Sequence, residues 1–463
     1  MRSTSASMPC RLRICAAFLA SSAALALLSP IPVAASHKHR AAAGVTAARV
    51  AAGRPHRTHS RAPHTTPAPP APQAAPEPQR VPATFYGLNA QALFKRPPSE
   101  WDEQLDRLAA TGVGVVRFDT EWEAIEPRPP LDGVHTYDWA RMDAIVSALA
   151  RHGLQALPII DYSARWAAPP PEPGLYGAAP PEPAAYATFA QAVASRFGTE
   201  GAFWTEHPEL PRLPIGQYEI WNEENTTEYF EGADPATYAA LYAASRDAIH
   251  AVDPSATVLV GGVLATNVIN PFGWLESFLA ALPQHGQEID ALGWHPYYSF
   301  FSDAIASLQA LRQVMSSMGL DPPVDVTEAN YIDGIGPPSL LGELATTLPM
   351  SDCHITGMIA YHWSSVTPGK ADPFAIADAG GNLKPVGMAF SSAVLEAESR
   401  GVPVPPPICE SAPTVASAGA PERGRVHRPR RSGGRRTPGR RTHPRSKHRD
   451  AEVKRARAVR EPF

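Results

Sequence analysis

The chain has 463 residues, 44% of them hydrophobic and 19% charged, with 51 prolines and a formal net charge of −4. That apolar content supplies one large core, and the length admits either two or three ordinary domains or a single barrel of roughly 250–400 residues. Only two cysteines, Cys353 and Cys409, lie beyond residue 15, which excludes a zinc site built from cysteines, and nothing beyond residue 35 is apolar enough to span a bilayer.

The modest net charge hides an asymmetry. Residues 1–80 carry ten Lys/Arg against the single Glu77, and residues 421–463 carry sixteen against four acids. About 25 net negative charges therefore fall on residues 81–420, an acidic body between two basic ends. At the start, Arg2, Arg11 and Arg13 accompany an apolar run from Ile14 to Leu28, and Val33-Ala34-Ala35 offers small residues before Ser36. This is the pattern of an export signal over residues 1–35, with an uncleaved anchor as the alternative, and it makes the expected location extracellular. Cleavage removes Cys10 and Cys15 and leaves Cys353 and Cys409 as a candidate disulfide in an oxidising compartment. Residues 36–80 are rich in Ala, Pro, His and Arg without apolar periodicity, and read as a linker that ends near Val81.

Eight short apolar runs follow, each trailed by a helix-like segment. They are Phe85–Ala90, Val113–Trp122, Leu154–Ala164, Ile215–Asn225, Thr257–Val263, Ile289–Tyr297, Pro323–Tyr331 and Ile355–Ser365. Their near-continuous apolar, β-branched character suits strands buried on both faces. Trp139–Arg151, Tyr186–Phe197, Pro235–Val252 and Asp303–Met318 have helical spacing. Strict alternation repeated eight times predicts an α/β fold, a closed (β/α)8 TIM barrel over residues 81–410. An open doubly wound sheet would want a Gly-rich phosphate loop after the first strand, which Gly87-Leu88-Asn89 does not supply. The Pro-rich stretch after Trp166 predicts a long loop over the C-terminal face of the strands. Cys353 and Cys409 both fall at the opposite face. Residues 411–463 are Arg-rich with Gly and Pro interruptions, and are expected to stay disordered.

Polar residues crowd the C-terminal ends of the strands: Arg117, Asp119 and Glu121 on the second, Asn222 and Glu223 on the fourth, His295 and Tyr297 on the sixth, Glu328 on the seventh, Trp363 on the eighth. Acids, Arg, His and aromatics at one rim suit a sugar site, where rings stack on aromatic faces and two carboxylates flank the scissile bond. Glu223 and Glu328 lie about three βα units apart, so their strands face each other across the mouth. Carboxylates so placed meet at about 5–5.5 Å, the spacing of a retaining glycosidase, with Glu223 as acid/base and Glu328 as nucleophile. Asp119 and Glu121 alternate with Phe118 and Thr120 and read as subsite or ion-pair groups. Glu224, next to the proposed donor, is expected to point away from it on an extended strand.

Together, Tyr218-Glu-Ile-Trp-Asn-Glu223, His295-Pro-Tyr297, Thr327-Glu328 and Trp363 resemble clan A glycoside hydrolases, families 39 and 5 in particular, over residues 81–400. The resemblance implies that Asn222 contacts the sugar 2-hydroxyl and that His295 and Tyr297 orient the carboxylates. It further implies that Arg117 supports Glu328 and that Trp363 floors the subsite of the cleaved sugar. The chain has Glu224 where those families usually have proline, and Asp161-Tyr162 where family 5 tends to have histidine. Trp166, Trp294 and Tyr331 are either sugar platforms or core. His295 lacks a second His or Cys at ligand spacing, so neither metal nor cofactor is expected. The competing readings are a catalytically silent barrel that binds glycans and a surface-attachment protein. In both, the basic tail would meet an anionic cell-envelope polymer, with nucleic acid disfavoured by the export signal.

Overall fold

A computed structural model describes residues 77–169, 179–330, 335–365 and 372–410. The expected signal, nearly all of the linker, the proline run at 170–178 and the basic tail lie outside the described residues, as does Tyr331.

The strands are β1 Tyr86–Asn89, β2 Val115–Glu121, β3 Gln155–Asp161, β4 Gln217–Asn222, β5 Thr257–Thr266, β6 Ala291–Tyr297, β7 Val324–Ala329 and β8 Ile355–Ala360. They close into a parallel barrel in sequence order, with β8 paired to β1. The helices that return the chain are α1 Trp101–Ala109, α2 Ala140–Arg151, α3 Pro183–Phe197, α4 Pro235–His250, α5 Phe272–Ala281, α6 Phe301–Ser317, α7 Leu340–Thr347 and α8 Pro385–Ser399. The fold is thus the eightfold barrel that the alternation predicts.

β3, β4, β7 and β8 end two to five residues short of their apolar runs, and one strand runs longer. The apolar run ends at Val263, yet β5 continues to Thr266 because Val263–Thr266 pair with Trp294–Tyr297 of β6. The register between these strands shifts at Gly261-Gly262, a bulge that re-aims the upper half of β5.

Alternation sorts the side chains into two cores. Val115, Leu157, Leu259, Ala291 and Ile359 fill the lower barrel interior, while outward residues pack on the helices in one continuous cluster. Tyrosines stitch the layers together: the Tyr238 hydroxyl of α4 donates to Ile220 O and accepts from Gly261 N, each at 2.7 Å, and Tyr186 of α3 donates to Ile160 O. Such bonds satisfy backbone groups that a bulge would otherwise orphan.

The N-terminal face of the barrel holds both ends of the described domain. Gln79 pairs with Val402 in an antiparallel bridge. Cys353 and Cys409 are joined by a disulfide with Cα atoms 5.1 Å apart. The Asp352 carboxylate accepts the backbone N–H groups of Ile408, Cys409 and Glu410 at 2.6–2.9 Å, which holds its pKa below the usual range despite partial burial.

Candidate active site

Inward-facing polar residues replace the apolar layer in the upper barrel, and a fully buried arginine organises them. Arg117 of β2 grips Glu219 of β4 with two donors, Nε to Oε2 at 2.6 Å and Nη2 to Oε1 at 2.9 Å. Its Nη1 donates to Glu328 Oε1 at 2.5 Å, and Nη2 also reaches Asn222 Oδ1 at 3.0 Å. One planar cation thereby fixes three side chains on two strands, a task suited to the rigid guanidinium fork.

Glu328 receives a second donor, the Tyr297 hydroxyl, on Oε2. Across the mouth, Glu223 Oε1 lies 3.1 Å from His295 Nδ1, which is also 3.8 Å from Glu328 Oε2. One oxygen of each glutamate and the imidazole nitrogen all lie within 4.8 Å of one another. The set offers three ligand atoms to a cation. Arg117 already takes one oxygen of Glu328 and is itself shared with Glu219.

The two carboxyls are pushed apart electrostatically. Burial raises the Glu223 pKa, the His295 contact opposes that, and the neighbouring Glu328 charge adds to it; the net direction is upward. Burial would raise Glu328 as well, but His295, Arg117 and Tyr297 outweigh it and hold the carboxyl below its ordinary value. The two shifts run in opposite directions, the sense that an acid–nucleophile pair requires.

Backbone conformation explains how Glu223 reaches the mouth. Trp221 and Glu223 have φ of 69° and 50°, the left-handed region that non-glycine residues seldom enter. The double twist turns Asn222 and Glu223 inward and sends the Trp221 indole to Tyr229 O at 2.8 Å. Each such residue costs about 1–3 kcal/mol, which the surrounding packing must offset. Glu224 does point elsewhere, into the layer between strands and helices beside Gly261, but the cause is this twisted turn, since β4 ends at Asn222.

Arg117, Asn222, Glu223, His295, Tyr297 and Glu328 therefore meet at one place. Trp363 does not join them: its indole is fully buried and donates to Gln104 of α1 at 3.0 Å, within the strand–helix layer. The aromatic from β8 that approaches Tyr297 is Tyr361, with ring centroids 6.4 Å apart. Trp166 is half-buried, bonded to Glu126 O at 2.8 Å and edge-on to Trp122, and so ties the loop after β3 to the loop after β2. Trp294 is core, bonded to Ser307 and stacked on Phe272. Asp119 and Glu121 line a separate cavity of about 360 Å³ between the tip of β2 and α2, with Lys95 and Arg141.

Glu219, Thr327 and Gly262 escaped the sequence reading. A glutamate in the middle of an otherwise apolar strand was the available signal for the first, because a buried charge demands a partner. Gly262 gave none. Only the fold reveals that a Cβ there would lie 1.9 Å from His295 Nε2.

No protein-family model matches this sequence, and no curated protein sequence does. The fold does have solved counterparts. The GH39 enzyme from Xanthomonas axonopodis pv. citri aligns over 72% of this chain and 69% of its own, with 19% identity and a TM-score of 0.53. A monomeric beta-xylosidase from Caulobacter crescentus aligns over 68% and 69%, with 18% identity and a TM-score of 0.53. A family 39 glycoside hydrolase from Bacteroides cellulosilyticus aligns over 70% and 66%, with 20% identity and a TM-score of 0.50. The chain thus has the barrel fold of clan A glycoside hydrolases.

Proposed function

We propose that the chain is an exported retaining glycoside hydrolase that cleaves β-linked O-glycosidic bonds, with Glu328 as nucleophile and Glu223 as general acid/base. The observation that carries this reading is the carboxylate separation. An oxygen of each lies within 4.8 Å of the other. That closeness suits double displacement, with carboxyls about 5–5.5 Å apart, better than the wider spacing of about 6.5–9.5 Å at which an inverting enzyme seats its water. The names of the fold neighbours, a beta-xylosidase among them, add support for a β-glycosidase. Export rests on the signal pattern in residues 1–35.

In the first half-reaction the ionised Glu328 attacks the anomeric carbon while Glu223 gives its proton to the departing oxygen. In the second, Glu223 takes a proton from water, which attacks the same carbon and frees Glu328. Arg117 and Tyr297 bond the nucleophile before attack, orienting it and keeping it ionised. With its carbonyl oxygen committed to Arg117, Asn222 has its amide N–H groups to offer a sugar hydroxyl.

The test is sugar release by residues 36–463 from a panel of β-linked aryl glycosides and polysaccharides. Glu328→Gln should reduce turnover to background, and Glu223→Gln should lower it by about 10²–10⁴-fold on substrates with poor leaving groups. Sugar binding without turnover by the wild type would replace this reading with a silent glycan-binding barrel. Turnover untouched by Glu328→Gln would remove that residue from the mechanism.

A further inference from the structure

His295 touches both carboxyls, and which of its nitrogens carries a proton decides what it does to them. The neighbours fix the answer by counting donors. Both oxygens of Glu219 accept from Arg117. Oε1 additionally accepts the Thr327 hydroxyl at 3.1 Å. A threonine has one proton to give, and here it goes to Glu219. Thr327 Oγ1 can then only accept from its other neighbour, His295 Nε2, also at 3.1 Å. Nε2 therefore carries hydrogen.

The opposite nitrogen, Nδ1, faces Glu223 Oε1 at 3.1 Å. Its next neighbour, Glu328 Oε2, already accepts from Tyr297, while Oε1 accepts from Arg117, so Glu328 is an acceptor only. The ring has no freedom to turn away, because it lies against the bare backbone of Gly262, where a Cβ would fall 1.9–2.5 Å from three of its atoms. A bare Nδ1 facing an ionised Glu223 would set lone pair against lone pair. The contact must hold a proton.

We propose that Glu219 and Thr327, with Gly262, are positioning residues that lock His295 with hydrogen on Nε2, so that Nδ1 and Glu223 hold one proton between them. This deepens the glycosidase reading and rests on it for its catalytic consequence. When Glu223 passes that proton to the leaving oxygen, the C–O bond breaks and Glu328 bonds the anomeric carbon. Glu223 is left ionised beside the bare Nδ1 of a neutral imidazole. That repulsion makes Glu223 a stronger base for the proton of the incoming water, and uptake of the proton restores the starting pair. A histidine with the reverse tautomer would donate to the ionised Glu223 and lower its affinity for the proton, leaving less of it protonated for the first step and making it a weaker base in the second.

Two measurements test the lock. Two-bond ¹⁵N–¹H correlation of imidazole-labelled protein reads the tautomer of each histidine directly, with the His295 signals recognised by their shift in Thr327→Ser. Hydrogen on Nε2 is expected, and a neutral ring with hydrogen on Nδ1 alone would overturn the proposal whether or not the protein cleaves glycosides. Kinetics then test the consequence. Thr327→Val removes the acceptor and should lower kcat on the order of 10–100-fold for aryl glycosides with poor leaving groups. For those with good leaving groups kcat/KM, which reports a bond cleavage that needs no acid, should change little, and Thr327→Ser should restore the former. An equal loss on both substrate classes would mean that Thr327 only holds the fold together. A catalytically inactive wild type with the expected tautomer would instead sink the glycosidase reading and leave the lock standing.

Discussion

Glu224 shows what position alone does to a carboxyl. It adjoins Glu223 in sequence, yet it is fully buried, and among the described residues no side chain donates to either of its oxygens. Burial pushes its pKa well above the ordinary carboxylate value, with its own backbone N–H a weaker opposing influence. The fold thus favours the protonated form of Glu224, whereas the unfolded chain ionises it above about pH 4.3. A raised folded pKa favours the native state fully below the unfolded pKa, and that contribution is lost as pH rises toward the folded value. Glu224→Gln, which keeps the shape without the acid, should raise the melting temperature at pH 7–8 and leave it nearly unchanged at pH 4. Each pH unit over which the shift operates is worth about 1.4 kcal/mol. Equal melting curves of the two proteins at both pH values would mean that Glu224 is ionised in the fold. Asp325, lower in the barrel and raised by burial to about 6, works in the same sense between pH 4 and 6.

At the scale of elements, the barrel was readable because its strands are short runs of Val, Ile and Leu separated by helical patterns, and burial on both faces demands that composition. β2 and β6 fell within two residues of their apolar runs, as did most strand starts. The extra length of β5 was not readable, since it depends on pairing with β6 past a two-glycine bulge. The site divides in the same way. Asn222, Glu223, His295, Tyr297 and Glu328 stand at or near strand tips and Arg117 lies within β2, each a polar residue that breaks an apolar run. Thr327 lies one position deeper than Glu328 and Glu219 three deeper than Asn222, and both act through other side chains. Trp363 was assigned to the mouth because it follows β8, but the chain has already left the strand at Ala360, and its indole enters the helix layer. Left-handed φ values at Trp221 and Glu223 have no signature in residue type, because neither is Gly, Asn or Asp.

For the whole molecule, the sequence divides charge between an acidic body and basic ends, while the fold places residue 410 at the N-terminal face, opposite the carboxylates. The disulfide there closes a loop with a sequence separation of 56. Crosslinks of that kind typically contribute about 2–4 kcal/mol. With Asp352 it anchors Ile408, Cys409 and Glu410, the last described residues before the basic run. The expected partner is an anionic cell-envelope polymer, held by Lys and Arg and released by salt. Deleting residues 411–463 should abolish retention on such a polymer at low ionic strength without changing turnover of a small aryl glycoside. Undiminished retention would place the contact elsewhere.

The central claim, a covalent sugar on Glu328 formed with Glu223 as its acid, is tested most directly by trapping that bond. A 2-deoxy-2-fluoro aryl glycoside with a good leaving group, built on the sugar the panel identifies, slows both half-reactions but the second more. Intact mass followed by peptide mapping should find one sugar per chain, attached to the peptide that contains Thr327-Glu328-Ala329, and none on Glu328→Gln. A sugar on a different carboxylate, or turnover of the parent glycoside with inversion at the anomeric carbon and no adduct, would contradict the account.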